Sequence, residues 1–242
     1  MSYSQRLLQK GNRLTRFAHQ SRFSAVLNVL GNTRYDRALD YGCGDGWLLR
    51  TAYEQNTVKS GIGVDVDPYM LSACQEIFAD IPGFQFCKPE ELSQKIPPQS
   101  CDIIFCTETL EHIGNPQKAL EQILIYCQPK ATMVISVPIE IGPSLLLKQM
   151  GRYFANRNGN YGYEPYKLKE IFSAAILWDA NSFTSSHSLQ LDYTGHKGFD
   201  YRKIEKLLQE KVKIERRIFS PFPWSGSFLN STVIWVCSVE NY

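Results

Sequence analysis

Leu39-Asp40-Tyr41-Gly42-Cys43-Gly44-Asp45-Gly46-Trp47 sets the architecture of this 242-residue chain. A short apolar run from Arg37 to Tyr41 leads into it, three glycines occupy alternate positions, and an amphipathic stretch follows. The pattern is strand, tight turn, helix. Glycines in such a turn let a ligand approach backbone N–H groups at the positive end of the helix. Alone, the turn is an ordinary strand-to-helix connection. A second apolar run ends at Asp65, 19 residues after Gly46, where a carboxylate can accept both hydroxyls of a ribose. Together the two features point to a nucleoside-containing ligand across one edge of a parallel sheet.

Outward from this motif, short apolar runs alternate with amphipathic stretches, the texture of repeated βαβ units. Strands are expected at 37–41, 60–65, 84–88, 102–106 and 132–138, and two more near 213–219 and 231–239 close the chain. Asp67-Pro68 and Asn115-Pro116 each read as a cap followed by a first-turn proline, and Asp200 caps a final helix. The second of these helices has Leu120, Ile123, Leu124 and Cys127 facing inward. Between the fifth strand and Gly195 lies a long insertion with helical pieces near 145–154 and 168–178, joined by an Asn- and Gly-rich loop over 156–163. Before Gly31, apolar spacing over Leu7 to Ala18 and Phe23 to Leu30 predicts two short helices.

No run reaches the roughly 18–20 apolar residues of a membrane-spanning helix, and basic residues interrupt any secretory core near the N-terminus, so the chain reads as cytoplasmic. The seven cysteines show no metal or disulfide spacing and read as buried thiols. The net charge of +2 hides an asymmetry. Residues 1–35 contain six Lys or Arg and no acid, which leaves the remainder acidic. Arg6, Lys10 and Arg13 form a basic stripe there. It is either a solvated face or a surface for a phosphate-rich acceptor, anionic lipid or RNA.

The spacing also bears on which nucleoside ligand is held. Dinucleotide sites show G-x-G-x-x-G, whereas this turn is D-x-G-x-G-x-G. Asp40 would repel a pyrophosphate and suits a ligand carrying an ammonium group, such as the methionyl part of S-adenosylmethionine. At this point the chain resembles the class I S-adenosylmethionine-dependent methyltransferases, in particular the type 11 group with its ubiquinone- and menaquinone-biosynthesis relatives. The resemblance rests on Leu39 to Gly46, on Gly63-Val64-Asp65-Val66-Asp67-Pro68-Tyr69-Met70-Leu71, and on Cys101-Asp102-Ile103-Ile104-Phe105-Cys106-Thr107-Glu108-Thr109-Leu110-Glu111-His112-Ile113. It covers residues 34–140 well and 196–242 loosely.

The resemblance implies a Rossmann-like three-layer α/β sandwich. Its seven-stranded, mostly parallel sheet has an antiparallel last strand, with an N-terminal helical cap and an insertion after the fifth strand. One methyltransferase domain then spans the chain: cap 1–33, cofactor core 34–140, substrate lid 141–198 and closing helix and strands 199–242. It further implies that Asp40, Gly42, Cys43, Gly44 and Gly46 hold the methionine moiety, that Asp65 binds the ribose with Val66 beside it among the cofactor contacts, and that Thr107 lies near the methionine end. One departure stands out. Where such sequences often carry an acid for the adenine amino group, this chain has Lys88, whose side chain cannot accept that bond. Backbone around Lys88 and Pro89, or Glu90, is expected there instead.

Glu108, His112 and His196 are the candidate catalytic residues, able to take a proton from an oxygen nucleophile. Some quinone-pathway O-methyltransferases resemble the Glu108, Glu111, His112 run and use it to hold a divalent ion. The plainer reading, in which His112 only positions the loop, is preferred, so no metal is expected. Tyr161, Tyr163 and Tyr166 either line a pocket for an aromatic or apolar acceptor or hold a loop down. The expected activity is methyl transfer to an O, N or C nucleophile of a small-molecule acceptor, anionic, aromatic or lipid-like, with S-adenosylhomocysteine as product. The competing readings are a nicotinamide-dependent oxidoreductase and a non-catalytic S-adenosylmethionine-binding protein.

Overall fold

The structure is a computed structural model and describes Ser4 and residues 13–156, 166–180 and 196–240. Its elements in chain order are α1 (Arg13–Leu30), β1 (Tyr35–Tyr41), α2 (Trp47–Glu54), β2 (Val58–Val64), α3 (Pro68–Ile77), β3 (Phe84–Cys87), α4 (Leu92–Lys95), β4 (Cys101–Thr107), α5 (Pro116–Leu124), β5 (Cys127–Pro138), α6 (Ser144–Asn156), α7 (Leu168–Ile176), α8 (Tyr201–Lys211), β6 (Lys213–Ser220) and β7 (Thr232–Ser238). The strands form one sheet in the order β3-β2-β1-β4-β5-β7-β6. β1 to β5 pair in parallel, and β7 runs antiparallel between β5 and β6. The order reverses between β1 and β4, and at that switch point the strands' carboxyl ends open a crevice for ligands.

The alternation of side chains along each strand splits the core in two. Ala38, Ile103, Phe105, Val134 and Ile234 meet α1 and α2 through Val26, Leu27, Leu30, Leu49 and Ala52. Their neighbours Leu39, Ile104, Cys106, Ile135 and Trp235 meet the opposite layer through Leu120, Ile123, Ala174, Ile204 and Leu208. Both faces of the sheet are thus covered, which is why Ile103–Cys106 of β4 and Met133–Ile135 of β5 are continuous apolar runs. The expected caps are in place. Asp67 accepts from the Tyr69 N–H at 2.8 Å, Asn115 from Lys118 at 2.9 Å and Asp200 from Arg202 at 3.0 Å.

Four boundaries differ from expectation. Among the described residues the N-terminal segment is one continuous helix, with no break between Ala18 and Phe23. Its buried residues Val26, Leu27 and Leu30 pack on the sheet, and that burial outweighs the weak local amphipathicity that suggested two pieces. Cys127 begins β5 rather than ending α5, because Pro129 cannot continue a helix and the strand pairs Cys127 with Cys101. β3 stops at Cys87, before Lys88, where Pro89 opens a 3₁₀ turn. α7 ends at Ile176, short of Trp178, whose φ of 55° takes the chain out of the helix. Most of the 156–163 loop, with Tyr161 and Tyr163, and the basic pair Arg6 and Lys10 lie outside the described residues. No helix among the described residues is long and apolar enough to cross a membrane.

Candidate active site

The β1–α2 turn is shaped by its glycines. Gly42, Gly44 and Gly46 have φ of 83°, 53° and 73°, left-handed values that cost other residues energy. Gly42 is also a close-approach point. A Cβ there would stand 2.1 Å from Thr109 Oγ1, so the segment after β4 closes directly onto the turn. Asp65, at the end of β2, braces the same turn: Oδ2 accepts from the Gly44 N–H at 2.8 Å and Oδ1 from the Asp67 N–H at 2.9 Å. Each carboxylate oxygen keeps a second lone pair for a ligand hydroxyl. Val66 beside it is 72% exposed, leaving an apolar surface open at the sheet edge.

Asp40 is buried, and its Oδ1 has no hydrogen-bond partner among the described residues. Burial, with Asp65 and Asp45 nearby, pushes its carboxyl up to about 8. Such a group gives up its proton to solvent when a cation arrives beside it. Asp45, to which the sequence reading gave no role, is buried as well. It accepts from the Ser4 N–H at 2.7 Å and from Ser4 Oγ at 2.5 Å, tying the N-terminal segment to the turn. Cys43 and Cys74 bring their sulfurs within 3.9 Å behind the turn.

At the next strand end, two of the expected adenine contacts are already engaged. The Lys88 N–H donates to Glu91 Oε2 at 2.9 Å, and the Pro89 carbonyl accepts from Gln122 at 3.1 Å. Lys88 and Glu90 are exposed. The Thr107 carbonyl accepts from Thr109 Oγ1 at 3.0 Å, which shapes the turn that carries Thr109 onto Gly42.

Glu108 follows β4 with a left-handed φ of 52°. Its N–H donates to the Ser136 carbonyl at 2.8 Å, Oε1 accepts from Ser136 Oγ at 3.0 Å, and Oε2 pairs with Arg22 at 2.9 Å. The structure therefore does not bring Glu108 together with Glu111 and His112 as one ligand set. Glu111, His112 and His196 converge instead, each offering a donor atom within 4.8 Å of the others. The His112 and His196 rings are 5.0 Å apart. The Glu111 side chain is fully buried with no hydrogen-bond partner on either oxygen among the described residues, and burial beside Glu108 raises its carboxyl well above the usual range. Burial likewise lowers His196 to about 4, so its imidazole is neutral at physiological pH, with a partnerless, buried Nδ1.

Three neighbours of this cluster went unnoticed in the sequence. His19 and Arg22, three residues apart on α1, come to Glu108, and His19 is lowered to about 4 by burial and by Arg22. Their spacing on one helix face was the available signal. Glu140, just after β5, is buried; Lys148 and Arg152 of α6 both reach its Oε1, at 2.9 and 3.0 Å, and the Tyr166 hydroxyl donates to Oε2 at 3.3 Å. Burial works to raise the Glu140 carboxyl, but the two cations override it and hold the group near 2. Tyr166 is thereby committed to this ion cluster, its ring also 5.5 Å from Lys197 Nζ.

Comparison with known proteins matches residues 8–175 to the family model for a methyltransferase domain. The ubiquinone biosynthesis O-methyltransferase of Photorhabdus laumondii is 23% identical over 173 residues, covering 71% of this chain and 72% of its own. Trans-aconitate 2-methyltransferase of Rhizobium rhizogenes is 28% identical over 106 residues, covering 44% of this chain and 40% of its own. Among solved structures, the N-methyltransferase NodS of Bradyrhizobium japonicum WM9, in complex with S-adenosylhomocysteine, shares the fold with a TM-score of 0.59 at 10% identity, over 97% of this chain and 91% of its own.

Proposed function

From the premise that this chain belongs to the S-adenosylmethionine-dependent methyltransferases, we propose that it methylates an oxygen of a small-molecule acceptor. The observation that carries this reading is the convergence of Glu111, His112 and His196 on the segment that closes onto Gly42. An oxygen nucleophile needs its proton removed, and His112, the partly exposed imidazole of this cluster, is the group placed to take it. The likeness to an O-methyltransferase supports the same choice.

In this reading the methionine ammonium lies against Asp40 and the turn at Gly42, Cys43, Gly44 and Gly46. Asp65 receives the ribose hydroxyls while still bracing Gly44, Val66 covers the adenine face, and Glu90 flanks the base beside Lys88 and Pro89, whose backbone groups stay bonded to Glu91 and Gln122. Thr107 lies at the methionine end. The rest of the chain forms one catalytic unit with this core, since β6 and β7, beyond the family match, complete the same sheet. Arg22 is paired with Glu108, whereas among the described residues Lys148 and Arg152 share the single carboxylate of Glu140, and that surplus cation favours an acceptor carrying negative charge. Alignment of acceptor and sulfonium methyl supplies most of the rate, and the cluster supplies the deprotonation.

The test is transfer of a labelled methyl group to matched phenol, carboxylic acid and amine acceptors, read as S-adenosylhomocysteine release. The expected result is turnover on oxygen acceptors, falling about 100-fold or more in His112→Ala, with the KM for S-adenosylmethionine held. Turnover confined to amines, or unaffected by that substitution, overturns the reading.

A further inference from the structure

We propose that Glu111, His112 and His196 hold a divalent transition-metal ion on the acceptor side, and that Glu108, the first glutamate of the E-x-x-E-H run, is not among its ligands. The inference deepens the oxygen-methylation reading, because a divalent ion lowers the pKa of a hydroxyl presented to it. It rests on three observations.

The first is an unmet polar demand. Glu111 is fully buried with both carboxylate oxygens unpartnered among the described residues, and His196 Nδ1 is buried and unpartnered as well. Groups left in that state are costly. A cation between them satisfies both at once. The second is proximity. One carboxylate oxygen and two imidazole nitrogens lie within 4.8 Å of one another. Ligand atoms around an ion at bonds of about 2.1 Å stand roughly 3–4 Å apart. A closure of about an ångström is therefore needed, and His112, with a side chain 37% exposed, has room to make it.

The third observation separates this site from a reading of the motif alone. Both carboxylate oxygens of Glu108 are committed, one to Ser136 and one to Arg22. Its backbone is fixed by the bond to the Ser136 carbonyl, and the guanidinium on it opposes a second cation. His196, 84 residues further along the chain than His112, takes the place of Glu108. The exchange changes the chemistry of the set. Two imidazoles with one carboxylate favour manganese, iron, cobalt or zinc, whereas magnesium prefers oxygen donors.

The test uses the full chain stripped of metal with a chelator. CoCl2 is titrated in and followed by visible absorption, and ZnCl2, MnCl2 and MgCl2 by calorimetry. All seven cysteines are buried, so surface thiols do not compete for the added ions. One cobalt per chain is expected, displaced by zinc and manganese, with magnesium at least about 100-fold weaker. His196→Ala and Glu111→Gln should each weaken cobalt binding by about tenfold or more, and Glu108→Gln by less than about threefold. S-adenosylhomocysteine binding, measured on the same samples, reports that each variant is folded. Should His196→Ala fail that check, Glu111→Gln carries the comparison with Glu108→Gln. Absence of cobalt, zinc and manganese binding in wild-type protein that still binds S-adenosylhomocysteine overturns the metal site and leaves the methylation reading standing. Magnesium binding as tight as manganese, or a greater loss from Glu108→Gln than from the cluster variants, also overturns it. Loss of oxygen methylation with metal binding intact counts against the methylation reading alone.

Discussion

The proposed cofactor side and the proposed acceptor side of this site satisfy their polar groups in opposite ways. On the cofactor side the work is done by backbone. Three left-handed glycines form the turn, Asp65 braces it through two N–H groups, and Asp40 keeps one oxygen unpartnered among the described residues. On the acceptor side it is done by side chains from separate elements: His19 and Arg22 from α1, Glu108 to His112 after β4, Glu140 after β5 and His196 before α8. Under the proposed function, the backbone turn holds the part of the ligand that never changes. Side chains gathered from distant segments can be exchanged singly, which suits the half that selects the acceptor.

The sharpest way to break this division is Gly42→Val. A side chain there meets Thr109, and the turn demands a left-handed φ that valine resists, so cofactor binding should disappear in calorimetry and thermal stability should fall by about 3 kcal/mol or more. Binding at wild-type affinity would show that the turn tolerates what the geometry forbids. Next in size is Glu140→Gln. It leaves Lys148 and Arg152, both largely buried, facing a neutral amide, and should cost about 3 kcal/mol in denaturant unfolding. S-adenosylhomocysteine affinity should not move, since the loss belongs to the acceptor side.

Those two substitutions also mark what the sequence could and could not reveal. Gly42 was legible because a turn, its glycines and the carboxylate of Asp65 are bound by local geometry that leaves a fixed spacing. The caps at Asp67, Asn115 and Asp200 were legible for the same reason. Glu140 was not, because its partners Lys148, Arg152 and Tyr166 come together only through the packing of α6 and the residues before α7. His196 was named as a candidate, yet its meeting with Glu111 and His112 depends on the whole sheet being assembled. The assignment of Glu108 to that cluster came from reading the motif as one linear unit. Arg22, 86 residues earlier, changes it.

A smaller effect sharpens the comparison from the α1 side. Arg22→Ala should leave cofactor affinity within about twofold while lowering kcat/KM for the acceptor by about tenfold, a loss of roughly 1.4 kcal/mol. An equal loss of cofactor affinity would mean that α1 serves both halves. Smallest is Asn115→Ala, which removes the cap of α5 and should cost about 1 kcal/mol in thermal unfolding with no change at either half of the site.

The most direct measurement concerns Asp40. Its carboxyl, held near 8 by burial against an ordinary 3.8, keeps its proton in the empty site. A raised value means stability that is complete below about pH 4 and is lost as pH rises through about 8, so the empty protein should weaken over that window and Asp40→Asn should flatten the slope. A cationic ligand reverses the preference by drawing the carboxylate into its charged form. Calorimetric titration of S-adenosylhomocysteine from about pH 6 to about pH 7.5 should therefore show affinity rising with pH and a proton released on binding, by up to about tenfold per unit. Asp40→Asn should abolish both trends and weaken binding by about 100-fold. Affinity that is flat with pH and unchanged in Asp40→Asn would contradict the placement of the methionine ammonium on Asp40, and with it the orientation of the whole site.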